Sequence, residues 1–290
     1  MNPKKCRFGQ SAIEYLGQII DKDGLRFSRE KLDGVLNFNT PVVIKDLQKF
    51  IGLVNWFRDH IPNLSEEMKL LREMEDEAKK TRKLRWTEQR RAQFERLKKM
   101  FNDLQTLYFL VEGGTVKVYT DASDYAIGGY VCQVINGREQ PVGFMSKALT
   151  HDQRKWTTTE RECYAIYITL QKYEYLLRDI PFQLYTDHEN LVYLNNPPSN
   201  KVLRWKLAIQ EYNFTISFIA GEYNVVADGF SRLTEEIPQT YASWPSEETS
   251  NLDISETRAS RGHVGNHGTN PQLLAEPIPM LDENPSKRKL

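Results

Sequence analysis

The sequence predicts an α/β (α+β) fold: a mixed five-stranded sheet with flanking helices, preceded by a mainly helical segment that carries a β-hairpin. Three observations predict it. Three strand-like runs follow one another, at about 116–122, 126–135 and 139–147. Helical and strand-like runs then alternate, with helices at about 158–177, 188–195, 200–212 and 225–232 and strands at about 182–187 and 214–220. Between Ser28 and Leu104, apolar residues recur mostly at helical spacing. Consecutive strands followed by interleaved helices and strands make a sheet of mixed direction.

In chain order, IEYLGQIIDKDGLRF (13–27) reads as a hairpin. Ile13, Tyr15 and Ile19 stand on one side and Leu25 and Phe27 on the other of the polar turn Asp21-Lys22-Asp23-Gly24. A helix is expected from Ser28, with Glu30 favourable in its first turn. Pro41 breaks the chain, and Leu47, Phe50, Ile51, Val54 and Phe57 then form one apolar helix face that ends at Pro62. Ser65, followed by Glu66 and Glu67, reads as another helix start. Thr87 is an N-cap for a helix whose Phe94, Leu97 and Phe101 share a stripe. In the sheet region Val116, Val118 and Thr120 alternate with Lys117, Tyr119 and Asp121, the period of a strand. Gly128 and Gly129 inside the next apolar run suggest a bulge or the close approach of another backbone.

Composition narrows the chemistry. The 290 residues suffice for one to three domains. With 39 basic and 39 acidic residues, any nucleic-acid partner must be met by a local basic surface. Cys6, Cys132 and Cys163 lie far apart and form neither a disulfide framework nor a CxxC zinc pair, which fits a reducing, intracellular setting. No signal-peptide core opens the chain, and no apolar run is long enough to span a bilayer, so no membrane partner is expected.

Four acids recur where strands end or helices begin. Asp121 closes the first sheet strand, Glu162 opens a helical run, Asp187 ends FQLYTD and Asp228 lies in VVADGFSRL. Gathered at one edge of a sheet, such carboxylates repel one another, and divalent cations relieve that repulsion. Oxygen-only ligands suit hard ions such as Mg2+ or Mn2+. Each acid also has a purely structural explanation: Asp121 as a turn cap through Ser123, Asp187 as an N-cap, Asp228 as a first-turn acid. Glu160 competes with Glu162, and Thr157 with Glu160 fits a capping box.

The segments TDASDYAIGGYV, TTTERECYAI, YTDHENL and NVVADGFSRL resemble, in order and spacing, the four motifs of the ribonuclease H domain of Ty3/gypsy-type LTR-retrotransposon reverse transcriptases. NPKKCRFG with EYLGQII, LQKFIGLVNWFRDHIPN and LRWTEQRRAQFERLKK resemble, in turn, the end of the palm with its primer-grip hairpin, the thumb helix and the helix leading into the ribonuclease domain. The resemblance implies a ribonuclease H-like sheet and three segments: 1–110 as end of palm, hairpin and thumb or connection helices, 111–235 as the ribonuclease H-like domain, and 236–290 as a disordered linker towards an integrase. It further implies hydrolysis of the RNA strand of RNA–DNA hybrids with two Mg2+ ions, Mn2+ being an alternative. Asp121 would bridge both ions, Glu162 and Asp187 would hold one, and Asp228 the other. The family register selects Glu162 over Glu160.

The implied partners are an RNA–DNA hybrid and the polymerase and integrase parts of the same polyprotein, in a cytoplasmic virus-like particle. No two aspartates are adjacent anywhere, so the paired-aspartate turn of a polymerase palm is missing and no primer extension is expected from this chain. Ser123, Asn190 and Arg232 are candidates for substrate contacts, and His188 for orienting a metal ligand. The cluster Lys79, Lys80, Arg82, Lys83, Arg85, Arg90, Arg91, Lys98 and Lys99 reads equally as a solvated face or a phosphate-contacting patch. His263 and His267 lack the paired ligands of a zinc site. The competing function is a catalytically silent, nucleic-acid-binding connection module, which would lack the acids.

Overall fold

A computed structural model describes residues 8–187 and 199–219. Asp228 and the helices expected at 188–195 and 225–232 lie outside the described residues, as do His188, Asn190, Arg232, His263 and His267.

The amino-terminal part builds an antiparallel sheet from β1 (Ala12–Tyr15), β2 (Gln18–Asp21), β3 (Gly24–Phe27) and β4 (Leu107–Tyr108). Where one hairpin is expected there are two, because a second turn falls at Leu16-Gly17. Both residues take positive φ, 53° and 81°, the conformation of a tight two-residue hairpin turn. Glycine reaches it freely and leucine does not, so the Asp21–Gly24 turn is legible and this one is not.

Helices α1 (Arg29–Leu36), α2 (Ile44–Asn55), α3 (Leu64–Glu67), α4 (Lys69–Thr81) and α5 (Glu88–Met100) follow. The α2 face is as expected: Leu47, Phe50, Ile51, Val54 and Phe57 are all buried and join Phe94, Leu97 and Phe101 in one core. Thr87 caps α5 by accepting the Arg90 N–H at 3.3 Å. Ser65 does not cap α3. Asn63 occupies that position in the left-handed region, and the Ser65 N–H donates instead to Ser146 Oγ at 2.9 Å.

The second sheet contains β5 (Thr115–Ala122), β6 (Ala126–Ile135), β7 (Arg138–Ala148), β8 (Phe182–Thr186) and β9 (Phe214–Phe218), in the order β7-β6-β5-β8-β9. The first three pair antiparallel, while β5 with β8 and β8 with β9 pair parallel, which is the mixed sheet expected. Helix α6 (Thr158–Lys172), continued by α7 (Glu174–Leu177), lies on one face, and α8 (Asn200–Ile209) packs beside it. Ala165, Ile166, Thr169 and Leu170 make the buried stripe of α6, at i, i+1, i+4 and i+5 from Ala165.

Gly129 explains how closely α6 sits. A Cβ there would lie 2.3 Å from Thr169 Oγ1, so the close approach is a helix side chain, and the register irregularity of β6 falls later, between Val131 and Cys132. Gly129→Ala is expected to destabilise the fold by about 1–3 kcal/mol, the usual cost of overpacking a filled core. Chemical denaturation should show a lower midpoint, recovered in part by adding Thr169→Ala.

The Arg58–His60 turn and α3 lie against β7. Besides the Ser65–Ser146 bond, Lys172 Nζ donates to Asp59 Oδ1 at 2.6 Å and to the Phe144 carbonyl at 2.8 Å. The helical part and the second sheet are therefore joined by the half-buried Ser65–Ser146 bond and the more exposed Lys172–Asp59 ion pair.

Candidate metal centre

Strand pairing sets the first two acids. β5 and β8 run parallel with Thr120 opposite Thr186, so Asp121 and Asp187 each stand one residue beyond that matched pair, side by side at the same end of the two strands. Parallel strands lie about 4.8 Å apart, which puts the two side chains within reach of one ion. Carboxyl ends of parallel strands are the usual place for ligands in open sheets.

Glu162 arrives from α6. Thr157 caps this helix in a full capping box: its hydroxyl accepts the Glu160 N–H at 3.2 Å, and Glu160 Oε2 accepts the Thr157 N–H at 3.2 Å. Glu160 Oε1 also takes the Ser199 hydroxyl and Lys201 Nζ, each at 3.1 Å. Burial works against ionisation of Glu160, but Lys201, the Thr157 N–H and Ser199 together lower its pKa overall. Every contact of Glu160 thus has a structural explanation. Glu162, two residues on, turns towards the sheet and is 2% exposed.

One oxygen each from Asp121, Glu162 and Asp187 comes within 4.8 Å of the other two. Glu162 Oε1 accepts the Ala122 N–H at 3.1 Å, whereas Oε2 is buried with no hydrogen-bond partner among the described residues. A buried carboxylate oxygen without a partner costs free energy unless a proton or a cation meets it. Burial, then the charges of Asp187 and Asp121, push the Glu162 carboxyl up to about 9, against the Ala122 N–H and Arg161. Burial and the Asp187 charge also raise Asp121; the Ala122 N–H opposes them, and Glu66 adds to the rise. An all-oxygen set, crowded enough to hold protons it would otherwise release, fits a hard divalent cation.

Of the four acids singled out in the sequence, the structure brings three together, and the fourth, Asp228, falls outside the described residues. Ser123 closes its own turn. Its Oγ accepts the Tyr125 N–H at 3.0 Å and the Ala126 N–H at 2.9 Å, and its N–H donates to the Ala126 carbonyl at 2.8 Å. Its hydroxyl donates to Glu66, a residue of α3 that local pattern marks only as a first-turn acid. Asp124 pairs with Arg161. In the basic cluster, Arg90 is buried against Glu77 at 2.6 Å, Lys79 pairs with Glu75 and Asp76 at 3.1 and 3.0 Å, and Lys98 donates to the Phe38 carbonyl at 3.0 Å. These contacts favour the structural reading of those three; Lys80, Arg82, Lys83, Arg85, Arg91 and Lys99 remain exposed. Cys132 and Cys163 are buried free thiols. No helix among the described residues is long and apolar enough to cross a membrane.

Residues 113–212 match the RNase H-like domain found in reverse transcriptase. The Transposon Tf2-3 and Tf2-4 polyproteins of Schizosaccharomyces pombe (strain 972 / ATCC 24843) are each 30% identical over 243 residues, which is 81% of this chain. The chain spans 18% of the length of these relatives. Among solved structures, the foamy viral protease-reverse transcriptase in complex with RNA/DNA hybrid superposes with a TM-score of 0.59 at 22% identity, over 75% of this chain and 30% of that one. The likeness shows the fold.

Proposed function

We propose, for a chain that carries the ribonuclease H-like region of an LTR-retrotransposon polyprotein, that this region hydrolyses the RNA strand of RNA–DNA hybrids with divalent cations held by Asp121, Glu162 and Asp187. The observation that carries the reading is the meeting of three carboxylates from three separate segments, one of which, Glu162, has a buried oxygen without a hydrogen-bond partner among the described residues. Asp228 is the proposed fourth ligand, Mg2+ the proposed ion and Mn2+ its alternative.

When bound, such cations would lower the pKa of an attacking water and offset charge at the leaving ribose oxygen. The protein's own part is placement. The β5–β8 pairing fixes Asp121 and Asp187, and the Ala122 N–H orients Glu162 by holding Oε1, so that Oε2 would be available to a cation. The ribose 2′-hydroxyl distinguishes an RNA strand from DNA, and Glu162 is proposed to read it. On this reading residues 1–110 are the end of the palm with thumb or connection helices, 111–235 the nuclease and 236–290 a linker, with the polymerase and integrase parts of the polyprotein as partners in an intracellular virus-like particle.

The test is a labelled RNA–DNA hybrid with Mg2+, the intact chain set against Asp121→Asn. Hydrolysis that disappears in the variant and on chelation supports the proposal. Hybrid binding without hydrolysis by the intact chain would replace it with the silent connection module.

A further inference from the structure

The turn that follows Asp121 carries Tyr125, and two cations from distant parts of the chain converge on its ring. Arg154 Cζ lies 4.3 Å from the ring centroid and Lys69 Nζ 5.0 Å. Arg154 comes from the loop before α6, Lys69 from the first position of α4. Among the described residues neither forms an ion pair with a carboxylate, although the charges of Glu66 and Glu73 also act on this ring.

The placement of Arg154 is built rather than incidental. The Leu149 N–H donates to the Tyr125 carbonyl at 2.8 Å, and Arg154 Nε–H donates to the Leu149 carbonyl at 3.1 Å. The Nε edge of the guanidinium is therefore spent on the turn, and its two terminal nitrogens are left to the surface, where Arg154 is exposed. Two like charges on one aromatic ring repel each other. The negative face of the ring offsets part of that. A phosphate group that met both cations would offset the repulsion and gain charge-assisted hydrogen bonds.

We propose that Lys69 and Arg154, braced on Tyr125, form a phosphate clamp that seats the sugar–phosphate backbone of a nucleic-acid strand beside the Asp121–Glu162–Asp187 cluster. The clamp takes one cation from the helical part and one from the sheet part, so a strand held there is registered against both. Its identity as a substrate contact rests on the nuclease reading, but phosphate binding does not.

Binding of a short fluorescent RNA–DNA hybrid is measured by anisotropy across a salt series, in the Asp121→Asn chain with Mg2+ so that the duplex persists. Lys69→Gln and Arg154→Gln should each weaken binding several-fold at low salt and reduce the slope of log K against log salt by roughly 0.7–0.9, the release expected for one phosphate contact. The double variant should lose both increments, Lys69→Arg and Arg154→Lys should restore them, and duplex DNA of equal length should respond alike, because phosphate contacts carry no base information. An unchanged slope in the double variant would overturn the clamp, whether affinity held or fell. Absence of hydrolysis by the parent chain would defeat the nuclease reading and leave this measurement to decide the clamp by itself.

Discussion

Glu162→Gln is expected to reduce hydrolysis of the hybrid by at least about 100-fold, while Glu160→Gln leaves the rate within a few-fold of the parent. Loss of an outer partner of a metal ligand already costs 10–100-fold, and a ligand itself should cost more. Gln keeps the shape of Glu162 and can still accept the Ala122 N–H that now holds Oε1 at 3.1 Å. What it cannot supply is the anionic oxygen opposite Asp121 and Asp187. Glu160 differs in kind, because its carboxylate is spent on Thr157, Ser199 and Lys201. Gln can still close the capping box, so the expected loss is the ion pair, about 0.5–1 kcal/mol. Single-turnover rates with saturating Mg2+, paired with denaturation curves, separate the two effects. A rate that collapses in Glu160→Gln and survives in Glu162→Gln would mean that the other glutamate serves the site.

The second large effect is on stability. Burial, then the charges of Asp187 and Asp121, push the Glu162 carboxyl up to about 9 from its ordinary 4.5. A raised carboxyl pKa means that the folded state holds a proton the unfolded chain has released. The stability contributed by this group is therefore fully present below about 4.5 and is lost as pH rises through the interval up to about 9. By pH 7 the loss is on the order of 3 kcal/mol, at 1.36 kcal/mol per unit. A divalent cation binds the ionised site, so Mg2+ should flatten that decline and raise the melting temperature increasingly with pH. Glu162→Gln should show neither effect: metal-free, it should match the parent near pH 4.5, exceed it by a few kcal/mol near pH 8, and gain nothing from Mg2+. Melting temperatures measured from pH 5 to 8.5 with and without Mg2+ check this. Equal slopes for parent and variant would remove Glu162 from the metal-linked equilibrium.

Much of the fold is legible in the residues because its signals are local. Period-two alternation and turn chemistry locate β5 to β9, and the α2 and α5 stripes follow from helical spacing. The acids are visible one by one, yet Asp121, Asp187 and Asp228 each have a local structural explanation in the sequence. Their meeting depends on the parallel pairing of β5 with β8, which no local pattern states. The features that escape are those decided by partners far along the chain. Thr169 fills the space that Gly129 leaves, Arg90 turns inward to Glu77, and Glu66 reaches Ser123. The Leu16-Gly17 turn escapes for a different reason: leucine is a poor advertisement for a left-handed backbone.

The parallel pairing of β5 with β8 also orders events in time. Neighbouring parallel strands cannot be joined by a tight turn, and here β6, β7 and α6 are all made before β8 leaves the ribosome. Until then Asp121 has no Asp187 beside it, and a half-made polypeptide is without its acid cluster. A cluster assembled from such separated pieces is slow to form, because long loops must close before their contacts reward them. The three-acid cluster is therefore a late product of synthesis, absent from the nascent chain until β8 docks beside β5.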